Sequence, residues 1–253
     1  MFEAKDLVKQ AIERHGDNIA VACSFGKDSI VVLHIALKYD PNIKVMFNNT
    51  GVEFPETITY KKMLVRKWDL NLIETKPIKG FWECVNEYGI PQVRGKGKNR
   101  TPKCCYYCKE KPAMVSFKEN KVVAVITGLM AEESRNRRLL AIRYNNTDQE
   151  KDDIMFCGQR YYAKSWGLWK YHPLMYWKEK EIWSYIKNNK IPINPVYTKW
   201  GGLYPRCGCL PCTAYKSWEE RLSKSHHNLY LKLKKIQCPT QQRLNPPKPR
   251  GKG

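Results

Sequence analysis

No stretch of this chain approaches the roughly 18 consecutive apolar residues that a membrane-crossing helix needs, and no signal-peptide pattern opens it. Membrane insertion and secretion are disfavoured, and a cytoplasmic protein is expected. Acidic side chains are scarce: 24 Asp and Glu stand against 45 Lys and Arg in 253 residues, a formal charge of +21. An excess of that size predicts a polyanionic ligand or partner, although a lysine-rich surface of the thermophilic kind has the same composition. Internal repeats are missing, and so are the spacings of the P-loop and of the Gly-x-Gly-x-x-Gly dinucleotide fingerprint. What is present in quantity is cysteine. Ten of them, in a reducing cytoplasm, are metal or redox ligands more often than disulfides.

Residues 4–15 carry apolar side chains at 7, 8, 11 and 12, an amphipathic helix ending near Gly16. Strand and helix patterns then alternate: strand 19–23, helix 29–39, strand 43–47, helix 55–69, strand 71–75 and, after an irregular cysteine-bearing stretch at 78–112, a short helix and the strand Val122–Ile126. Short apolar strands alternating with helices predict an α/β fold, a doubly wound parallel sheet covered on both faces. Residues 135–176 are polar and aromatic and read as an insertion or hairpin outside the core. A helix restarts at 178 and stops before Ile191-Pro192. The expected organisation is a nucleotide-binding α/β domain at 1–177 with a cysteine-bearing insertion, a helical and Cys-rich region at 178–238, and a disordered basic tail at 239–253 rich in proline.

The segment Cys23-Ser24-Phe25-Gly26-Lys27-Asp28-Ser29 joins the first strand to the following helix. A Gly-bearing turn there exposes consecutive backbone N–H groups and the positive end of the helix dipole, the arrangement that binds phosphate. Ser24, Gly26 and Ser29 keep the loop small, and Lys27 adds charge.

Ser24–Ser29 resembles the SGGKDS-type signature of the PP-loop ATP pyrophosphatases, and further segments resemble the phosphoadenylyl-sulfate (PAPS) reductase branch of that superfamily. Asn49–Thr57 is similar to its DTG-x-x-FPET segment, and Thr127–Ser134 to its TG-x-R-x-x-x-S segment. Pro173-Leu174, Trp177, Ile182-Trp183 and Asn194-Pro195 resemble the PL-x-x-W, VW-x-Y-I and P-x-NP run, and Gly208–Thr213 its GC-x-PCT. The resemblance implies an adenine nucleotide α-hydrolase-like fold. It further implies that Ser24, Phe25, Gly26, Lys27, Asp28 and Ser29 hold nucleotide phosphates, with Asn49, Thr50, Gly51 and Gly128 lining the nucleotide pocket. Met130 replaces the arginine of TG-x-R, so Arg135, Arg137 and Arg138 are the candidates to take over anion binding, and Asn49 replaces the aspartate of DTG.

Cys104-Cys105 followed by Cys209-x-x-Cys212 resembles the pattern that binds a [4Fe-4S] cluster in adenylyl-sulfate (APS) reductases, four thiolates from two loops. Cys105-x-x-Cys108 with Cys209-x-x-Cys212 reads equally as a four-thiolate Zn2+ site, so Cys104 and Cys108 compete for the fourth place. Cys207 substitutes as a ligand or stays free. Cys23, Cys84 and Cys157 read as isolated structural residues. Cys238 lies 26 residues after Cys212, which matches the distance of the reductases' C-terminal nucleophile, but the Glu, Gly and His of that motif are absent.

Two activities fit. In the first, favoured by the intact Lys27-Asp28-Ser29, the enzyme binds ATP with Mg2+ oriented by Asp28, releases pyrophosphate, and passes sulfur from a donor to a tRNA or DNA substrate. The cations of Arg94–Arg100 and the aromatics Tyr106, Tyr107, Trp166 and Trp169 suit such a substrate. In the second it reduces APS or PAPS to sulfite with Cys238 as nucleophile and a thioredoxin-like reductant. A zinc-containing nucleic-acid-binding protein is a third reading. A homodimer is compatible with all three.

Overall fold

The computed structural model describes residues 4–92, 102–133, 137–139, 159–215 and 217–244. A six-stranded sheet runs in the order β3-β2-β1-β4-β6-β5, with β1 Ile19–Ala22, β2 Lys44–Asn48, β3 Leu72–Thr75, β4 Ala124–Thr127, β5 Arg160–Ala163 and β6 Leu168–Tyr171. All neighbours are parallel except β5, which pairs antiparallel with β6. Helices α1 (Ala4–His15), α2 (Lys27–Ala36), α3 (Pro55–Lys67), α4 (Phe81–Tyr88), α5 (Lys111–Glu119) and α6 (Glu179–Asn188) pack around it, followed by α7 (Trp218–Ser225) and α8 (His227–Leu244). None of the described helices is long and apolar enough to cross a membrane.

The core follows from the continuous apolar runs. β1 is a central strand covered on both faces, so Ile19, Ala20 and Val21 are all buried with no polar alternation. α2 behaves likewise and buries Ile30 through Leu33 and Ile35. α1 buries only the Leu7, Val8 and Ala11 stripe. The chain builds outward from β1 to β2 and β3, then returns to place β4 on the other side of β1. That reversal opens a crevice at the carboxyl ends of β1 and β4, where open α/β sheets bind ligands.

Three expectations are corrected here. Residues 159–171 are not an excursion outside the core: β6 extends the sheet beside β4, and Leu168 and Tyr171 are each 1% exposed. The period-two pattern is carried by aromatics interrupted by cations, Tyr161 and Ala163 inward, Arg160 and Tyr162 outward, so no apolar run marks it. The stretch 78–112 is largely helical where described: α4 precedes a turn Lys103–Cys105 that continues as a π-helical turn, Tyr106–Glu110, into α5. The helical backbone of α8, seated through Leu233 and Ile236, runs on to Leu244, past the boundary expected at 238. That seat is a second core in which Phe81, Val85 and Ile90 meet Trp218, Leu222 and Leu233, fastening α4 to α7 and α8.

One buried side chain ties the C-terminal half to the phosphate loop. Asn194 donates to the Phe25 carbonyl at 3.0 Å and to Thr57 Oγ1 at 3.1 Å, and accepts from Val196 N–H at 3.1 Å. Asn194→Ala strands these partners in a dry site, so a loss of about 3 kcal/mol of stability is expected in urea unfolding. A loss within experimental error would contradict this role.

Candidate functional site

A cavity of about 490 Å³ opens at the β1/β4 crevice. The strand ends supply its floor through Ala22, Cys23, Asn48 and Thr127, and the phosphate loop supplies Ser24, Gly26, Asp28 and Ser29. Lys109, Arg137, Lys170 and Arg206 bring four cations into the same space, facing Asp28, Glu53 and Glu133.

The loop's shape is set by Phe25, which adopts φ 57°. A bulky residue in the left-handed region is held there by packing: its ring is fully buried and meets Phe47 edge-on at 5.4 Å. Phe25 therefore anchors the loop from the core side, and its side chain does not line the nucleotide cavity as the sequence suggested. The N–H groups of Phe25, Gly26 and Lys27 are taken by Cys23 Sγ at 3.4 Å, Ser29 Oγ at 3.1 Å and the Tyr197 hydroxyl at 2.9 Å. The expected row of open N–H groups is therefore shorter, limited to the first turn of α2 at Asp28 and Ser29.

Two glycines are required by close approach. A Cβ on Gly128 would stand 2.6 Å from the Asp28 carbonyl carbon and 2.8 Å from Ser29 N, so only glycine lets the β4 turn lie on the loop backbone. A Cβ on Gly26 would stand 2.8 Å from Cys207 Sγ and 3.1 Å from the Tyr197 hydroxyl.

Several predicted residues sit elsewhere. Lys27 is buried and its ammonium pairs with Asp28 at 2.9 Å and Glu179 at 3.6 Å, outside the cavity wall. Asn49 turns away to Glu74 Oε1 at 2.5 Å, and it is Asn48 that borders the cavity. Thr50 and Gly51 do not line the cavity either. Thr50 donates to Glu53 Oε1 through its N–H at 3.0 Å and its hydroxyl, which also lies 3.5 Å from Cys209 Sγ. Leu210 N–H donates to the Val52 carbonyl at 2.8 Å, and Glu53 bridges Cys209. The 50–53 segment thus holds the Cys209 loop beside the cavity. Met130 is buried. Arg135 and the Arg94–Arg100 run lie outside the described residues, and of the candidate arginines Arg137 borders the cavity while Arg138 does not.

Sequence reasoning missed Lys109, Lys170, His172, Tyr197 and Arg206. Lys170 and His172 were hidden in the supposed insertion. Burial lowers Lys170 to about 8, and its ammonium sits 3.9 Å over the Trp166 ring. Trp169 lies under Arg14 and Arg160, and Tyr107 under Lys79, so these aromatics are engaged within the fold. Arg137 pairs with Glu133, while burial and then the neighbouring Arg206 lower its affinity for its proton.

His172 is 2% exposed; its Nδ1 lies 2.7 Å from Thr127 Oγ1, while Nε2 is buried without a protein partner. Burial, followed by Lys170 and Arg137, pushes it down to about 3 from 6.5. The unfolded chain binds this proton below about pH 6.5 and the folded protein does not, so stability is complete above that value and falls as pH drops. Each pH unit lost costs about 1.4 kcal/mol. His172→Asn is expected to flatten urea stability between about pH 7 and pH 5 relative to the parent; parallel curves would contradict it.

The thiols form a second cluster behind the cavity wall, next to the cavity-lining Lys109. Cys104 hydrogen-bonds Cys105, and that contact, burial, and the nearby Cys212 and Cys209 raise it above the ordinary thiol range. Lys109 hydrogen-bonds Cys209 and is held protonated, first by that sulfur. Cys108 faces the Lys79 carbonyl at 3.3 Å, beside Cys84, and burial pushes it up to about 12. Cys104, Cys105, Cys209 and Cys212 thus bring four thiols together on two segments, a donor set that fits an iron–sulfur cluster. No three Cys, His, Asp or Glu side chains among the described residues converge closely enough to clasp a single ion. Cys238 lies on α8, none of whose described side chains borders the cavity.

Comparison with known proteins places this geometry. The sequence profile of the phosphoadenosine phosphosulfate reductase domain matches residues 18–215, and the chain belongs to that family. It is an enzyme of the oxidoreductase kind. It is 30% identical over 212 residues to the adenosine 5'-phosphosulfate reductase of Geobacillus kaustophilus (strain HTA426), covering 83% of this chain and 79% of that protein. It is 28% identical over 227 residues to adenosine 5'-phosphosulfate reductase 1 of Bacillus subtilis (strain 168), covering 89% and 86%. Among solved structures, PAPS reductase from Candida auris superposes with a TM-score of 0.55 at 19% identity, covering 77% of this chain and 83% of that one. The U34-tRNA thiolase NcsA from Methanococcus maripaludis, solved with its [4Fe-4S] cluster, gives 0.51 at 15% identity, covering 98% and 82%. Both show a shared PP-loop fold.

Proposed function

We propose that this enzyme reduces a sulfated adenine nucleotide, adenylyl sulfate or its 3'-phosphorylated form, to sulfite and the nucleotide. The observation that carries the reading is one cavity joining the phosphate loop, four cations and a cysteine-bearing wall. Ser24, Ser29 and the α2 N-terminus hold the 5'-phosphate, and Lys109, Arg137 and Arg206 neutralise the sulfate oxygens. Asn48 and the β4 turn at Gly128 flank the nucleoside. The relatives named adenosine 5'-phosphosulfate reductase support the same reaction.

Cys104, Cys105, Cys209 and Cys212 would hold a [4Fe-4S] cluster, with Cys108 turned to the Lys79 carbonyl and Cys207 free. When bound, the cluster would supply iron–sulfur centres whose electronic properties the surrounding charges, Lys109 first among them, would tune.

ATP-dependent sulfur transfer with Mg2+ remains the second reading, favoured by Asp28 on the cavity wall. It loses weight because Lys27, on which it leaned, is committed to Asp28 and Glu179. Calorimetric titration of the anaerobic protein separates the two. Adenylyl sulfate is expected to bind at least about tenfold more tightly than ATP with Mg2+, a difference of about 1.4 kcal/mol. Tighter binding of ATP would overturn the reductase reading.

A further inference from the structure

The cavity extends to both sides of the phosphate loop. One arm runs along β2, past Met46, Phe47 and Asn48; the other runs past Thr127 to Lys170 and His172 at the end of β6. Strand alternation puts Leu168, Lys170 and His172 on one face, where Leu168 packs on Ala113 and Phe117 of α5. His172 N–H donates to the Gln159 carbonyl at 2.7 Å, which fixes the backbone just past the strand. This second arm is continuous with the loop. The His172 ring meets Thr127 at 2.7 Å, and a Cβ on the next residue, Gly128, would stand 2.6 Å from the Asp28 carbonyl carbon.

Two groups in this arm lack a counterpart. Lys109 hydrogen-bonds Cys209, and Arg137 and Arg206 both pair with Glu133. The Lys170 ammonium has no carboxylate within ion-pair distance among the described residues; it lies 3.9 Å over the Trp166 ring, and Glu110 acts on it only from farther away. His172 is 2% exposed, its Nδ1 is taken by Thr127, and its Nε2 has no partner among the described residues. Burial, then Lys170 and Arg137, keep the imidazole neutral. A neutral ring between two cations offers a hydrogen bond without adding a third charge. An unpaired cation and an orphaned ring nitrogen, two positions apart on one strand face, define a place for an oxyanion.

We propose that Lys170 and His172 bind the sulfonate of the substrate and are the residues that separate adenylyl sulfate from the sulfate-free nucleotide; the proposal rests on the reductase reading. With the 5'-phosphate at the loop, the group joined to it through oxygen extends across Thr127 into this arm. Nε2–H of His172 donates to one sulfonyl oxygen and the Lys170 ammonium faces another. The anion selects the tautomer with its proton on Nε2, and the Thr127 hydroxyl then donates to Nδ1. Thr127 is the positioning residue of the pair, and the Tyr161 ring, 5.5 Å from the imidazole, backs it from β5.

The test follows sulfite release from adenylyl sulfate by anaerobic, cluster-loaded protein with a dithiol, with adenosine 5'-phosphate as competitive inhibitor in the same assay. His172→Asn keeps an amide opposite Thr127 and removes the group at Nε2. It is expected to lower kcat/KM for adenylyl sulfate by about tenfold or more, while the inhibition constant of adenosine 5'-phosphate changes by less than about twofold. Lys170→Met, which keeps the stem against Trp166, should have the same selective effect. His172→Gln, whose amide reaches the Nε2 position, should recover most of the loss, and Thr127→Ser should restore what Thr127→Val removes. An equal loss for both nucleotides, or no loss for either, would overturn the proposal and leave the reductase reading standing. A loss confined to adenosine 3',5'-bisphosphate as inhibitor would also overturn it, giving the arm to a ribose phosphate. Parent protein that releases no sulfite would overturn the reductase reading, and the assignment of the arm with it.

Discussion

Gly128→Val is expected to abolish nucleotide binding and to destabilise the protein by about 3 kcal/mol or more. Even a Cβ at this position would penetrate to 2.6 Å of the Asp28 carbonyl carbon and 2.7 Å of its oxygen. These are backbone atoms in the first turn of α2, so no side-chain rotation relieves the overlap. The β4 turn must back away from the loop, and with it go the Thr127 and Gly128 side of the cavity and the Thr127 contact to His172. Urea unfolding and calorimetric titration with adenylyl sulfate read the two losses. Near-wild-type affinity would mean that the close packing of β4 on the loop does not shape the site.

The second large effect is expected from Cys209→Ser, which should remove the thiolate-to-iron absorption and lower sulfite release by about 100-fold or more. Cys209 stands at the junction of three features: the thiol cluster with Cys104, Cys105 and Cys212, the Lys109 ammonium, and the 50–53 segment through Glu53 and Thr50. Serine keeps the size of the side chain but is a poor ligand for iron, so the backbone bridge to Glu53 is expected to survive while the metal site fails. Cys108→Ser is the matched comparison. Its thiol faces the Lys79 carbonyl, so the iron content per chain should stay close to that of the parent. Loss of iron in Cys108→Ser with retention in Cys104→Ser would reverse the assignment of the fourth ligand.

The fold was legible where burial is complete and local. β1, β2 and β4 each carry a run of buried apolar residues, and their alternation with helices pointed to a parallel, doubly wound sheet but not to the order of strands within it. β5 and β6 were not, because their inward positions are Tyr161, Ala163, Leu168 and Tyr171 with cations between them, a pattern that composition reads as surface. α4 escaped notice because its burial partners, Trp218 and Leu233, lie far along the chain. The phosphate loop announced itself through Gly26 and two serines, yet its strained Phe25 and the sealing of three N–H groups by Cys23, Ser29 and Tyr197 are tertiary facts. Lys27 was read as a phosphate ligand from its charge and from the resemblance of Ser24–Ser29 to the PP-loop signature. Its partner Glu179 is 152 positions away, beyond the reach of any local pattern. Of the four cations that do face the cavity, Lys109, Lys170 and Arg206 come from three separate segments whose convergence depends on the sheet order.

The central claim is that this cavity performs reduction of a nucleotidyl sulfate. Its most direct test is product formation by the anaerobic, cluster-loaded protein offered adenylyl sulfate with a dithiol in one arm, and ATP, Mg2+, a sulfur donor and bulk tRNA or DNA in another. Sulfite and adenosine 5'-phosphate in equal amounts from the first arm, with no pyrophosphate from the second, is the predicted result. Pyrophosphate release that depends on the nucleic acid, with no sulfite from adenylyl sulfate, would contradict it.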